Sequence, residues 1–430
     1  MSAYHKKAEQ SNQKCEHELI LQHLTLSDIK EIVKGRFTSF CTAVGIQTLM
    51  TMMDQDVEEV AGPKGKHDQN RTAYRHGSQA TTIPMGTQRL AIERPRIRSV
   101  DTDQELPIPS YEAFAHDDQL IEAALNRMLY GMSSRDYTNG TDDWSDVAST
   151  SGTSKSSVSR RFIQASEAEA KKVLSRRFDE MHIPVLLIDG IVLGDYTAIV
   201  TMGITKDGEK LLMGIRIGST ENTQVCQDLL SDLISRGLEY QDGILAVIDG
   251  SKALRKALKT VFGEQVLIQR CQVHKMRNVL DYLPNYKRPW VKRKLQQAWR
   301  SETAEEAKRK LNSLASSLQE DHPDAASSLR EGLDETITIL KLDIPGLLQK
   351  SLRSTNAIES GFSVAAKNMK NVKNWKNGTM VQRWVSAAML DAERRARRIQ
   401  GYRSMSALIA EIKRLTSSET EHAEKVSRSA

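Results

Sequence analysis

The chain has 430 residues, enough for two to four domains and a substantial hydrophobic core. Its 61 lysines and arginines outnumber its 55 aspartates and glutamates, and the net charge of +6 is mild for a protein that binds a polyanion. No uncharged apolar run approaches the roughly 18 residues that cross a bilayer. The polar start MSAYHKKAEQSNQK also lacks the apolar segment of a secretory signal. These features argue against membrane roles and secretion.

The cysteines, at positions 15, 41, 226 and 271, have neither the spacing of a disulfide framework nor that of a zinc finger. Scattered cysteines of this kind are typical of proteins in a reducing compartment. We therefore expect a cytoplasmic protein, which would be associated with the nucleoid if it binds DNA.

The first 110 residues are predicted to form two regions. In residues 1–60, the stretch 24–60 has Met and Leu at a/d-like helical spacing, which predicts a dimerisation helix or an accessory helix pair. Residues 61–110 contain a predicted hairpin, TTIPMGTQRLAIERPR, within a segment rich in arginine. Arg75 and Arg96 are its candidate phosphate contacts.

Residues 111–180 resemble a helical DNA-reading module. DDQLIEAALNRMLYG is a predicted amphipathic helix, and DWSDVASTSG followed by TSKSSVSRRFIQ resembles a helix-turn-helix. Thr153 or Ser154 would cap the second helix. Its first turns would then carry Arg160 and Arg161, and arginines there read guanine or hold phosphate. An ordinary capped helix explains the same residues.

Residues 181–283 alternate strands and helices. Apolar runs predict strands at 185–189, 196–204, 211–217, 244–248 and 265–269, and helices at 222–236 and 251–262. This order resembles that of ribonuclease-H-like α/β cores, in which the first strands are antiparallel and the later ones are joined by helical crossovers. In such a sheet the first and fourth strands are neighbours, so Asp189 and Asp249 would lie side by side.

Roughly ninety residues separate the last predicted strand from Glu359, too many for a plain crossover. Over 287–341, charged residues alternate with Leu, Ala and Trp at helical spacing, and prolines interrupt the pattern. Residues 284–350 are therefore predicted to be an all-helical insertion. Residues 351–400 would hold the core helix that carries the last acid, and 401–430 a C-terminal tail.

Positive charge is concentrated in the stretches 271–300 and 365–400. The first has eight lysines and arginines against one acid, and the second has nine against two. This predicts an electrostatic track for a polyanion, although a solvated helix face gives the same pattern. Trp290 or Trp299 would either pack in a core or stack on an unpaired base. The candidate DNA contacts in this half are Lys275, Arg277, Lys292, Arg293, Lys367, Lys370 and Lys373.

Three acids form the candidate catalytic set: Asp189 in LLIDG, Asp249 in AVIDG and Glu359 in STNAIES. Such carboxylates can hold two Mg²⁺ ions about 4 Å apart, which clamps a phosphodiester for in-line attack. Each acid also has a structural explanation. Asp189-Gly190 suits a turn, Asp249 suits a helix N-cap, and Asn356 with Glu359 suits a capping box. In this strand order the three together favour a metal-dependent nuclease.

The chain resembles the Mutator-type transposases of bacterial insertion sequences, a DDE family with a ribonuclease-H-like core. The matching stretches run through most of the protein. They are RTAYRHG, ERPRIRS, GMSSRD, KSSVSRR, LLIDG, STEN with LLSDLISRGL at 219–238, VIDGSKAL, RCQVHKMRNVL and LRSTNAIESGF. The resemblance implies that Asp189, Asp249 and Glu359 are the catalytic triad, and that the Cys-x2-His signature falls on Cys271 and His274.

Zinc binding by Cys271 and His274 is not expected, because structural zinc takes four N or S ligands and no second pair lies nearby. With Asn356, they are expected to line the active-site wall or to orient a metal-bound carboxylate. The chain has Ser354-Thr355-Asn356 where relatives often have Thr-Thr-Asn, and lysines where relatives often have arginines after the Glu. Lysine still neutralises phosphate but lacks the bidentate fork.

The resemblance implies a transposase that binds the terminal inverted repeats of its element, nicks the ends to free a 3′-OH and joins that strand elsewhere. Asp189 would bridge two Mg²⁺ ions, for which Mn²⁺ can substitute, and Asp249 and Glu359 would each hold one. The partners would be double-stranded DNA, at the transposon ends and the target, and at least one further copy of the chain. Alternatives are a junction-resolving nuclease, a ribonuclease and a non-catalytic DNA-binding regulator.

Overall fold

The computed structural model describes residues 26–66, 71–144, 147–218 and 222–428. Residues 1–25, with Cys15, and the first three residues of the 219–238 stretch lie outside this description. The chain divides into two compact units, one formed by residues 1–124 and 134–161, and the other by 125–133 and 162–430. None of the helices described has the length and apolar character needed to cross a membrane.

The first unit combines helices with a four-stranded sheet. Its elements are α1 (Leu26–Ala61), β1 (Ala73–Met85), β2 (Gln88–Ser99), β3 (Glu105–Leu106), α2 (Pro109–Phe114), a 3-10 turn (Tyr137–Gly140) and β4 (Thr150–Ser151). Two helices, α3 (Asp118–Leu129) and α4 (Lys155–Ser175), continue from this unit into the second. The predicted hairpin is confirmed, because β1 and β2 pair antiparallel around Gly86-Thr87. The core beneath the sheet includes Met53, Val57, Leu90 and Ile97.

Two predictions for this part of the chain are wrong. The stretch 24–60 contributes one continuous helix, α1, so the accessory helix pair is wrong, and dimerisation through this helix stays a prediction. The expected helix before α4 is absent from the described residues 147–154, where β4 pairs with β2 instead, Thr150 opposite Leu90. The chain then turns at Gly152, where φ is 82°. This left-handed conformation is outside the helical region and is one that glycine adopts more readily than other residues. The predicted cap is confirmed for Ser154, whose Oγ accepts from Ser157 N at 3.3 Å.

The second unit contains a five-stranded mixed sheet in the order β7-β6-β5-β8-β9. Its strands are β5 (Val185–Leu193), β6 (Tyr196–Ile204), β7 (Lys210–Gly218), β8 (Ile244–Ile248) and β9 (Val266–Arg270). β5, β6 and β7 are antiparallel neighbours, and β8 runs parallel to both β5 and β9. The crossovers contain α5 (Thr223–Ser235) and α6 (Lys252–Phe262), the latter followed by a 3-10 turn (Gly263–Gln265). The predicted pairing of the first and fourth strands is confirmed.

β5 extends further beyond its predicted end than any other strand of this sheet. The apolar run ends at Asp189, but β5 continues to Leu193 because β6 pairs with it as far as Tyr196. β8 pairs with β5 only to Ile188, opposite Ile248. Asp189 therefore lies in the interior of β5, at the point where the neighbouring strand β8 ends.

Helices fill the described chain after β9. They are α7 (Gln272–Asp281), α8 (Arg288–Ala298), α9 (Ala304–Leu318), α10 (Pro323–Arg330), a 3-10 segment (Asp334–Lys341), α11 (Gly346–Leu352), α12 (Asn356–Met369), α13 (Gly378–Arg395), a 3-10 turn (Tyr402–Ser404) and α14 (Met405–Arg428). The expected helical character of 287–341 is confirmed. Trp299 packs in the core of this segment, where its Nε1 donates to Thr336 Oγ1 at 3.2 Å. Trp290 is 37% exposed.

Both outer strands of the five-stranded sheet are covered by hydrogen bonds from other elements. On β9, Ile268 O accepts from Thr338 Oγ1 at 2.7 Å, and the Gln269 side chain accepts from Ile339 N at 2.8 Å. On β7, the Glu393 carboxylate accepts from Leu212 N. Leu212 O in turn accepts from the Arg176 guanidinium at 2.8 Å. These bonds satisfy the backbone N–H and C=O of Leu212 and the C=O of Ile268, groups that an edge strand can leave unpaired.

Candidate active site

Asp189 is a buried carboxylate, 7% exposed. Its Oδ1 accepts from Gly190 N at 2.9 Å. Burial raises its pKa to about 6, because a low-dielectric environment disfavours the charged form. The negative charges of Asp249 and Glu359 raise it further, against the opposing effects of the Gly190 amide and His274. The turn explanation for Asp189 is wrong, since β5 runs on through Gly190.

Asp249 follows the last residue of β8. Its Oδ1 accepts from Gly250 N at 2.6 Å and from Ser251 N at 2.9 Å, which fixes the carboxylate. Ser251 is the N-cap of α6, since its Oγ accepts from Leu254 N. The N-cap explanation for Asp249 is therefore wrong. Gly250 is required, because a Cβ there would lie 2.5 Å from the Arg270 guanidinium.

Glu359 is in the first turn of α12. The N-cap position is Thr355, and Asn356 is the first helical residue, exposed to solvent, so the capping-box pairing of Asn356 with Glu359 does not form. The Thr355 hydroxyl donates to Glu359 Oε1 at 2.8 Å. The amphipathic pattern of α12 buries Ile358 and Ala365 and leaves the Glu359 side chain partly exposed.

Cys271, at the start of α7, connects the elements that carry the acids. Its amide donates to Ile248 O at 2.7 Å, directly before Asp249. Its Sγ accepts from Thr355 N at 3.4 Å, directly before α12. The next amide, of Gln272, donates to Arg353 O at 3.0 Å. The β8 end and the start of α12 are thus both attached to the start of α7.

His274 supplies the nearby positive charge. Its Nε2 lies 3.7 Å from Glu359 Oε1. Its pKa is raised to about 9 by a hydrogen bond with Cys271, and the charges of Asp189 and Glu359 add to this against the effect of burial. Burial would raise the pKa of the Cys271 thiol, but hydrogen bonds from His274 and Thr355 outweigh it, and the pKa is lowered. An imidazolium at this place partly balances the acids.

The three predicted acids and His274 share one electrostatic environment, since Asp249, His274 and Glu359 all shift the pKa of Asp189. The tightest set is different. The ligand atoms of Cys271, His274 and Glu359 lie within 4.8 Å of one another, a set that includes neither aspartate. Within the described ranges, no lysine or arginine forms an ion pair with Asp189 or Asp249.

Residues 15–397 match the sequence profile of the transposase Mutator family. The chain belongs to this family.

Curated relatives agree. The transposase for insertion sequence element ISRM5 of Rhizobium meliloti (strain 1021) is 26% identical over 326 residues, 73% of this chain and 78% of the relative. The transposase for IS6120 of Mycolicibacterium smegmatis is 28% identical over 251 residues, 57% and 75% of the two chains. The transposase for IS256 in transposon Tn4001 of Staphylococcus aureus is 22% identical over 357 residues, 79% and 86%.

Most of the predicted DNA contacts of this Mutator-family transposase are exposed. Arg96 is half-buried and pairs with Glu105 at 2.6 Å, and Arg161 is half-buried and donates to Gly152 O at 2.6 Å. These two are therefore already engaged within the protein. The exposed candidates are Arg75, Arg160, Arg277, Lys292, Arg293, Lys367, Lys370 and Lys373.

Lys275 does not belong with them. It is fully buried, and its Nζ donates to the backbone carbonyls of Ser328 and Glu331. Burial lowers its pKa to about 8, with a further contribution from the charge of Arg270. The prediction that Lys275 contacts DNA is wrong, because α7 turns this residue towards α10. Composition showed the charge of the stretch but not which side of the helix each lysine occupies.

A pair of variants on α7 separates the structural role of Lys275 from the proposed DNA-binding role of Arg277. Lys275→Ala removes the buried donor that serves the Ser328 and Glu331 carbonyls and leaves Glu331 O with only its bond from Arg270. We expect a loss of about 2–4 kcal/mol in unfolding free energy with unchanged DNA affinity of the folded protein. Arg277→Ala should change the unfolding free energy by less than about 0.5 kcal/mol. It should reduce the slope of the logarithm of DNA affinity against the logarithm of salt concentration by roughly one. Urea unfolding and salt titrations of binding measure both. Equal loss of DNA affinity in the two variants would contradict the assignment.

Sequence reasoning missed Thr355 in this transposase. The residue appeared only as part of Ser354-Thr355-Asn356, and Asn356 was expected to line the site. The available signal was spacing, because a hydroxyl residue at the N-cap is one helical turn from a residue four positions later.

Proposed function

We propose that the chain is a DDE transposase that binds the terminal inverted repeats of its insertion sequence, nicks the ends and joins the freed strands to new phosphodiesters. The observation that carries this proposal is that Asp189 on β5 is buried where the charges of Asp249, after β8, and Glu359, on α12, both raise its pKa. The strand order and the parallel pairing of β5 with β8 support a ribonuclease-H-like core.

The acids suit Mg²⁺, which prefers carboxylate oxygens. Asp189 is buried next to two like charges, without an ion-pair partner among the described lysines and arginines, and this favours a bound cation. Asp189, Asp249 and Glu359 would hold two Mg²⁺ ions, and Mn²⁺ would substitute. Bound in this way, the ions would polarise the scissile phosphodiester and activate the attacking water or 3′-OH.

The protein's own groups orient the acids. Two backbone amides, those of Gly250 and Ser251, hold the Asp249 carboxylate, so this side chain is ordered before metal or DNA arrives. His274 balances part of the negative charge near Glu359. The reaction needs no covalent protein–DNA intermediate, since the attacking groups are water and the DNA 3′-OH.

We propose that the exposed basic residues, including Arg160, Arg277 and Lys292, contact the DNA backbone at the transposon ends and the target. A transposase must hold two ends at once, so we propose a homodimer or a higher oligomer. The place of action would be the nucleoid in the cytoplasm. The family resemblance favours a copying route through nicking and attack on the other end.

The test uses the full-length protein, labelled DNA from the borders of its own gene, and Mg²⁺ or Mn²⁺. We expect metal-dependent end nicking and joining by the wild type. Asp249→Asn should abolish both while leaving end binding intact. Binding without chemistry in both proteins would indicate a regulator. Cleavage of branched DNA without end preference would indicate a junction nuclease, and degradation of RNA–DNA hybrid a ribonuclease.

A further inference from the structure

Thr355 is a fully buried residue immediately before α12, one turn from Glu359. Its hydroxyl makes the 2.8 Å hydrogen bond to Glu359 Oε1. Glutamate is a flexible side chain, and nothing else among the described side chains donates to this carboxylate at hydrogen-bond distance. The orientation of Glu359 therefore depends on a hydroxyl that solvent cannot reach.

The same hydroxyl contacts two more groups. Thr355 Oγ1 lies 3.4 Å from Cys271 Sγ and 3.5 Å from His274 Nδ1. A hydroxyl has one proton to donate and two lone pairs to accept with. The shortest contact, to the charged carboxylate, takes the proton. The same oxygen remains in contact with the thiol and the imidazole, so Thr355 connects the Cys-x2-His pair to the acid.

An ion bound by Cys271, His274 and Glu359 is the alternative for this cluster, because their ligand atoms lie within 4.8 Å of one another. Zinc would need bonds of about 2.0–2.3 Å to each of them. The Thr355 hydroxyl already lies 2.8 to 3.5 Å from all three. Hydrogen bonds through this hydroxyl account for the cluster without an ion, which favours a hydrogen-bonded cluster over a metal centre.

We propose that Thr355 is a positioning residue for Glu359, held by Cys271 and His274, and that its hydroxyl sets the orientation in which Glu359 takes part in binding the divalent metal. This inference rests on the proposed function. Partners that orient a metal-ligating carboxylate typically contribute 10- to 100-fold to metal affinity. Neither Cys271 nor His274 needs to touch metal or DNA for this role.

The experiment compares Thr355→Val, which keeps the shape and loses the hydroxyl, with Thr355→Ser, which keeps the hydroxyl. Mn²⁺ binding to the full-length, DNA-free protein is measured by calorimetry, and end nicking is measured over a range of Mg²⁺ concentrations. We expect Thr355→Val to bind Mn²⁺ about 10- to 100-fold more weakly and to recover nicking at high Mg²⁺. Thr355→Ser should stay within about threefold of wild type.

The Glu359→Gln variant distinguishes a failure of the Thr355 inference from a failure of the proposed function. If Glu359→Gln loses Mn²⁺ binding and Thr355→Val does not, the inference is overturned and the proposed function stands. If Glu359→Gln nicks like wild type, the proposed function itself fails. If wild type binds Zn²⁺ stoichiometrically and Cys271→Ser does not, the cluster is a metal centre and the inference is overturned. Should Thr355→Val not fold by circular dichroism, Thr355→Ala, which adds no methyl beside the carboxylate, takes its place.

Discussion

Asp189→Asn is expected to stabilise the metal-free protein while reducing end cleavage at least about 1000-fold. Burial raises the pKa of Asp189 from 3.8 to about 6. Each tenfold change in proton affinity corresponds to about 1.4 kcal/mol, so ionising this carboxyl group costs the folded protein roughly 2–3 kcal/mol at neutral pH. Asparagine has no charge to bury and can still accept from Gly190 N.

The stability gain of Asp189→Asn over wild type should increase as the pH rises. Between pH 3.8 and about 6 the folded chain keeps a proton on Asp189 that the unfolded chain has released. The contribution of Asp189 to stability is therefore present in full below pH 3.8 and is lost as the pH rises through 6. Asp189→Asn and wild type should unfold alike near pH 4, and the variant should be more stable at pH 8.

Metal should cancel most of this stability difference between Asp189→Asn and wild type. Mn²⁺ at one hundred times its dissociation constant stabilises a one-site protein by about 2.7 kcal/mol, and only wild type should respond. Asp195→Asn, at the exposed tip of the same hairpin, is the control and should change stability by less than about 0.5 kcal/mol. Urea unfolding in EDTA and in Mn²⁺ measures both effects. An Asp189→Asn protein that is less stable than wild type in EDTA at pH 8 would contradict the account.

Arg236→Ala is expected to destabilise the second unit by about 3–5 kcal/mol. Arg236 is 7% exposed, and its guanidinium donates to Asp232 at 2.8 Å and lies 4.9 Å from the centre of the Phe178 ring. It also donates to three backbone carbonyls, those of Val173, Arg176 and Met213, at 2.8 to 3.1 Å. Alanine would remove this donor from the half-buried Asp232 carboxylate and from the three carbonyls, of which those of Val173 and Met213 belong to buried residues.

Arg177→Ala is the matched control for Arg236→Ala. Arg177 also pairs with an aspartate, Asp179, at 2.7 Å, but its side chain is 65% exposed. Exposed ion pairs contribute little, so we expect a loss below about 1 kcal/mol. Arg236→Lys should remain clearly destabilised, since an ammonium cannot reach the separate acceptors as the planar fork does. Similar urea midpoints for Arg236→Ala and Arg177→Ala would contradict the structural role of Arg236.

The strands of the second sheet were predictable because each is a short apolar run bounded by turn residues. β8 was placed at 244–248 as observed, and β7 and β9 differ from their predicted bounds by one residue at each end. The end of β5 was missed by more, since its last residues are partly exposed and pair with β6 alone. The candidate acids followed from this order. The positions of Lys275 and Thr355 did not, because burial depends on helices brought together from distant parts of the chain.

The helix predicted before α4 was wrong for a related reason. DWSDVASTSG has helical composition in part, but Thr150 and Ser151 pair with β2, and a local pattern does not contain that long-range pairing. The glycines and threonines within 24–60 do not interrupt α1. A long helix accommodates them when one face, here Met53 and Val57, packs against a sheet.

The hydrogen bonds that cover β7 and β9 restrict how copies of the protein can meet. Glu393 and Arg176 use the backbone groups of Leu212, and Thr338 uses the carbonyl of Ile268. A second copy would have to break these bonds before it could add a strand at either edge. At these positions the proposed oligomer would therefore rely on side-chain contacts, which surface substitutions and salt can weaken without disturbing the sheet, and assembly mutants that keep the fold should be obtainable.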